Sequence, residues 1–242
     1  MKIKNPFRHL TKFEYALWLS SLAVVSISFF VGGSSGILSL LASLVGVTAL
    51  ILVAKGDVTG QFLCVIFATL YALVSWQQRY YGEMITYLFM SAPAAIFSIV
   101  SWIRNPFDKE KNEVRVASMT PLKAFLLILT TAAVTALFYF LLRALDTAQL
   151  AVSTFSVTTS FLAASLLFLR SPYYALAYAA NDVVLIILWV ISSVKSPSYF
   201  SMVACFVMFL FNDLYGFFNW LKMQRKQARA DAARGRKTQK ED

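Results

Sequence analysis

The chain is short of charge, of histidine and of cysteine. Asp, Glu, Lys and Arg make up only 14% of its 242 residues, against about 25% in an ordinary soluble protein. That is too little charge to coat a globule of this size. The single histidine, His9, precedes the first apolar run and reads as an interfacial residue. The two cysteines, Cys64 and Cys205, lie inside apolar runs with no partner at metal or redox spacing. There is no Walker loop and no Ser/His or Cys/His arrangement near an apolar run, which argues against an ATPase and a hydrolase. No metal, no cofactor and no enzymatic activity is expected.

Apolar residues are what the chain has in plenty: 59% are hydrophobic and 15% aromatic. They gather in eight blocks, at approximately 13–31, 36–53, 60–76, 84–103, 121–142, 151–169, 173–194 and 200–221. Each block holds roughly 17 to 22 residues, enough to cross a hydrocarbon core about 30 Å thick. In lipid such a block must be helical, because every backbone N–H and C=O needs an internal partner. The expected fold is therefore an all-α polytopic membrane protein with eight transmembrane helices.

The formal charge of +10 marks topology here, not a nucleic-acid surface. With the N-terminus inside, nineteen of the 22 basic residues fall on the inner side and only Arg79, Arg143 and Lys195 on the outer. Both termini are then cytoplasmic. Turn formers separate the blocks at Gly32-Gly33-Ser34-Ser35-Gly36, Lys55-Gly56-Asp57 and Ser196-Pro197-Ser198. The longest connection, 104–120, is polar, and the charged tail after Leu221 is expected to be a frayed helix or disordered. No small-x-small site follows the first block, whose apolar run is longer than a signal core, so it is expected to stay as a helix.

The fourth and eighth blocks align. Ala95-Ile96-Phe97-Ser98-Ile99-Val100-Ser101-Trp102 sits against Asp213-Leu214-Tyr215-Gly216-Phe217-Phe218-Asn219-Trp220, with aromatic on aromatic, small on small and Trp on Trp. Blocks two to four and six to eight then form two triplets with the same starting side, and block five is a linker. Parallel repeats of this kind bind substrate near the midplane between them. The divisions expected are 1–35 (N-terminus and an extra helix), 36–104 (first repeat), 105–148 (loop and linker helix), 149–221 (second repeat) and 222–242 (basic tail).

Ionisable groups inside a span are costly and mark function. The deep ones are Asp182 and Asp213, and no Lys or Arg lies mid-span. A path for a phosphorylated substrate would present Arg or Lys to the phosphate, so a neutral or cationic substrate is expected. Helical spacing places Asn212, Tyr215 and Asn219 on one stripe of the last helix, with Asp213, Gly216 and Trp220 on an adjoining face. Interhelical packing is the competing reading of such a stripe. The seventh helix offers Asn181, Asp182 and Trp189, and Gln77 at the end of the third completes the candidate substrate-binding set. Aromatic faces attract flat cations by about 0.5–2 kcal/mol once desolvated, and Tyr71, Tyr87 and Tyr178 add to the supply.

With these residues assembled, the sequence resembles the PnuC family of vitamin transporters over about 36–224. The resemblance rests on the 3+1+3 helix pattern, on Tyr81-Gly82-Glu83, on Asn181-Asp182, and on Asn212-Asp213-Leu214-Tyr215-Gly216-Phe217-Phe218-Asn219-Trp220 followed by a basic tail. Family members often carry two tryptophans at the end of the first triplet; this chain has one, Trp102. The resemblance implies facilitated diffusion of unphosphorylated nicotinamide riboside across a bacterial cytoplasmic membrane for NAD synthesis, a fold similar to SWEET sugar transporters, and a homotrimer. The alternatives are a thiamine or, less well matched, a riboflavin transporter of the same fold, or the substrate-binding subunit of an ATP-driven importer.

Overall fold

Long uncharged runs fold here as long helices. The structure, a computed structural model, describes residues 5–31, 36–77, 80–108, 113–147, 149–195 and 199–241. Among these, eight helices are long and apolar enough to cross a membrane. They are α1 Lys12–Val31, α2 Ile37–Ala54, α3 Val58–Gln77, α4 Tyr81–Arg104, α5 Pro121–Ala144, α6 Leu150–Phe168, α7 Tyr174–Lys195 and α8 Phe200–Glu241. The turns expected at 32–35 and 196–198, and Arg79, lie outside the described residues.

Two elements depart from the apolar blocks. α4 begins at Tyr81, which draws Glu83 into the span. α8 continues past Leu221 to Glu241 instead of fraying; Ala, Arg, Lys and Gln are good helix formers, and the first turns of the extension are held by the connector described below. Within α4 a wide π turn, Tyr87–Ser91, precedes Pro93. Proline has no N–H for the turn before it and crowds the carbonyl four residues back, and the widened turn accommodates both.

The core is made by α2–α4 and α6–α8. α2 and α3 approach so closely that a Cβ on Gly60 would lie 2.6 Å from the Val53 backbone nitrogen. α1 packs on α2 and α8, while α5 leans on α6, where the Thr135 and Thr158 hydroxyls bond at 2.9 Å. Phe125, Ile128, Leu137 and Phe140 of α5 face outward, which suits a helix whose solvent is lipid. α1 starts with a capping box: Thr11 N–H donates to Glu14 and Glu14 N–H to the Thr11 hydroxyl.

α2 and α6 end alike. Gly56 N donates to Val53 O and Asp57 N to Leu52 O; Arg170 N donates to Leu167 O and Ser171 N to Leu166 O. In each turn one residue takes a left-handed backbone, Gly56 at φ 68° and Arg170 at φ 59°. The following helices are also capped alike, by Asp57 accepting from Thr59 N and Ser171 from Tyr173 N. The two aligned tryptophans complete the match: Trp220 Nε1 donates to Val53 O at 3.0 Å and Trp102 Nε1 to Leu167 O at 3.3 Å. Each triplet thus sends its last tryptophan to the same carbonyl of the other. Between α4 and α5 the chain forms a small antiparallel hairpin, β1 Pro106–Asp108 and β2 Glu113–Val114.

Candidate functional site

A cavity of about 70 Å³ lies at the centre of the bundle. All six helices of the two triplets line it; α1 and α5 contribute nothing. Its apolar wall includes Phe67, Ala95 and Phe209, and its polar groups include Gln61, Ser98, Ser160, Asn181, Asp182 and Asp213. No lysine or arginine is among the lining residues. Asp182 and Asp213 stand side by side on this lining, and Asp182 Oδ2 is buried without a hydrogen-bond partner.

Asn181 is held from α6. Its Oδ1 accepts from Thr159 at 2.8 Å, from Ser160 at 3.0 Å and from Ser156 at 3.4 Å. With the oxygen so occupied, the amide nitrogen is the end left to donate to a ligand. Gln61 on α3 is fully buried at the cavity wall, and neither its Nε2 nor its Oε1 has a hydrogen-bond partner. A buried amide without partners is destabilising by about 1–3 kcal/mol per group, a cost that a polar ligand would remove.

Aromatic layers close both ends. Toward the terminal face, the end of the bundle that carries both chain termini, Trp102, Trp220 and Tyr174 pack together, the tryptophans tilted with ring centroids 5.5 Å apart and Tyr174 edge-on to Trp220 at 4.8 Å. Toward the opposite face Trp189 Nε1 donates to the Tyr71 hydroxyl at 2.9 Å, and Tyr80 packs edge-on against Trp189. Binding pockets commonly measure about 300–1,000 Å³, so this cavity must widen to hold a nucleoside. Phe209, pressed on Gly46 so closely that a methyl there would collide with it, is a side chain whose rotation would enlarge it.

Of the nine residues singled out from the sequence, the structure brings Asn181, Asp182 and Asp213 together at the cavity. Trp189 and Trp220 instead belong to the two closing layers. Three of the α8 residues face other helices, because α1 and the end of α2 cover that side of α8. Asn212 donates to Ser21 of α1 and to Met208 O; Tyr215 donates to Glu14 of α1, beside Lys55; Asn219 donates to Ala54 O at 2.7 Å. Gln77 is exposed at the end of α3, away from the cavity. In this structure the polar stripe on α8 thus bonds to α1 and the end of α2, while Asn212 Oδ1 has no hydrogen-bond partner. Gln61, Ser98 and Ser160 were missed. A lone glutamine or serine in an apolar run carries no periodic signal, although Gln61 is the one amide among the apolar residues of the third block and could have been found on that ground.

The model of the nicotinamide mononucleotide transporter family matches residues 36–222. The chain belongs to this family. The match begins after α1 and spans both triplets and the helix between them. Among curated proteins, the nicotinamide riboside transporter PnuC of Haemophilus influenzae is 26% identical over 226 residues, 93% of this chain and 97% of that protein. The protein of the same name from Neisseria mucosa is 25% identical over 222 residues, 90% of this chain and 84% of that one. A crystal structure of the vitamin B3 transporter PnuC superposes with a TM-score of 0.77 at 24% identity, covering 90% of this chain and 94% of the other, and shows that the two share a fold. The cavity described above thus lies within a PnuC-family transporter.

Proposed function

We propose that the chain moves unphosphorylated nicotinamide riboside across a bacterial cytoplasmic membrane by facilitated diffusion, for use in NAD synthesis. The observation that carries this reading is the Asp182–Asp213 pair in a cavity lined by no lysine or arginine. The riboside is a flat pyridinium cation. The carboxyl pair offers it negative charge, and Phe67, Tyr87 and Tyr178 offer aromatic faces. Gln61 and the Asn181 amide nitrogen supply hydrogen bonds for a carboxamide or sugar hydroxyls. The mononucleotide would place its phosphate against carboxyls with no cation to receive it. We further assign both termini to the cytoplasm, from the basic residues that cluster on the terminal face. The 36–104 and 149–221 segments we read as two parallel repeats, and the assembly as a homotrimer.

Purified protein in liposomes tests the reading, with uptake of nicotinamide riboside, its mononucleotide, thiamine and riboflavin compared at equal concentration. Riboside uptake should exceed each of the others at least tenfold. Equal transport of the mononucleotide would overturn the charge argument, and faster transport of thiamine would replace the substrate.

A further inference from the structure

The connector between α4 and α5 crosses the terminal face as β2 and the irregular segment that follows it, and its backbone is bonded to both triplets. Val114 N donates to Gly56 O at 3.0 Å and Ala117 N to Arg170 O at 2.9 Å. Those two carbonyls belong to the matching left-handed residues of the turns after α2 and α6. Between them, Arg115 N donates to Asn105 O at the end of α4. One stretch of five residues thus ties the corresponding corners of the two halves.

The extension of α8 closes over the same strand. The Gln227 amide behaves like a neighbouring strand's peptide group: Oε1 accepts from Val116 N at 2.9 Å and Nε2 donates to Val114 O at 3.0 Å and to Glu113 Oε1 at 2.9 Å. Lys226 pairs with Glu113 at 3.2 Å and Arg115 with Asp231 at 2.8 Å. Val114 is buried in the cluster that includes Trp102, Trp220 and Met223, directly beneath the aromatic layer that closes the cavity. This is more hydrogen bonding than a passive loop between two helices needs. Arg170 also reaches back to the strand, its Nη1 donating to Arg115 O at 3.4 Å. Burial, with the neighbouring Arg115 adding to it, lowers the Arg170 guanidinium from its ordinary value.

We propose that residues 113–117 are the bolt of the terminal-face gate and Gln227 its catch, so that the cavity opens to that face only when this strand leaves Gln227 and the two turns. The proposal deepens the transport reading and rests on it. The halves cannot separate at this end while one strand is bonded to both Gly56 and Arg170. Releasing the strand also removes the floor under Trp102 and Trp220.

Cys64, which lines the cavity, reports opening without any substrate. In liposomes, a charged methanethiosulfonate reagent applied from the terminal face should modify Cys64 about tenfold faster in Gln227→Glu, which sets a second carboxylate against Glu113, than in the native protein. The exchanged pair, Gln227→Glu with Glu113→Gln, restores the side-chain bond between 227 and 113 but leaves Val114 O without its donor, so the rate should fall back at least about threefold from that of Gln227→Glu, and this partial rescue separates loss of the catch from loss of folding. Unchanged Cys64 reactivity in Gln227→Glu, or no rescue in the exchanged pair, would overturn the proposal. In a second arm, Val116→Cys with Gln227→Cys is bridged by a short bifunctional methanethiosulfonate, with Val116→Cys alone as control. Riboside uptake should stop on bridging and return with reductant; uptake that continues at the native rate would sink the bolt. If the native protein fails to carry the riboside, the substrate reading falls, while the Cys64 result still decides the gate.

Discussion

The two triplets share a backbone plan and differ in chemistry. Their corner turns, caps and final tryptophans match bond for bond. Extending the register of those turns along the helices sets Phe67 and Ala68 of α3 against Asn181 and Asp182 of α7, and the tryptophan alignment sets Ala95 against Asp213. Apart from serines and tyrosines on both sides, the first triplet thus lines the cavity with apolar side chains and one unpartnered amide, Gln61, where the second adds an amide and two carboxyls. Asymmetry in the lining gives a flat cation one charged wall and one apolar wall.

The largest break in that comparison comes from removing the charge. Asp182→Asn with Asp213→Asn should lower riboside uptake at least thirtyfold, as hydrogen bonds to charged groups contribute about 1.5–3 kcal/mol, whereas each single substitution leaves one acid and a milder loss. Initial rates in liposomes decide it; a double variant with native uptake would remove the carboxyls from the site. Next, Gln61→Leu should raise the KM for uptake about three- to tenfold. Because it removes two buried polar atoms without partners, it should leave the melting temperature level or higher. A large fall in melting temperature would mean that Gln61 is a structural group.

Smaller effects sharpen the symmetric part. Trp102→Phe and Trp220→Phe each lose one N–H to a matching carbonyl and should destabilise by similar amounts, about 1 kcal/mol, measured by thermal unfolding in detergent. If one is neutral and the other severe, the halves are not held alike. Smallest of all, Gly216→Ser puts into α8 the residue that stands at the equivalent position of α4, Ser98. A Cβ there would lie 3.2 Å from the Tyr174 hydroxyl and 3.5 Å from Ala54 Cβ, so a loss under about 1 kcal/mol is expected.

Which parts of the site were legible follows from what periodicity encodes. Spacing on a helix says which side chains share a face, and it rightly separated Asp213 from the Asn212, Tyr215 and Asn219 stripe. It does not say which neighbour each face meets. α1 takes the stripe, through Ser21 and Glu14, and so converts residues that looked like ligand contacts into interhelical bonds. Glu83, noted only within the Tyr81-Gly82-Glu83 motif, and Glu14 were left out of the site for a related reason: both lie at the ends of apolar blocks, where a charge reads as interfacial, yet both are buried.

Block length, charge scarcity and the placement of basic residues by themselves determined that this chain is an eight-helix membrane protein, because a hydrocarbon layer admits few ways to satisfy a backbone. The Trp102 and Trp220 match was also present in the order of the residues. Tertiary structure alone decided that Asp182 meets Asp213, that Gln61 stands unpartnered at the same cavity, and that the connector straps both halves. Those contacts join residues tens to more than a hundred positions apart, and their energy comes from desolvation and pairing that exist only once the helices have packed.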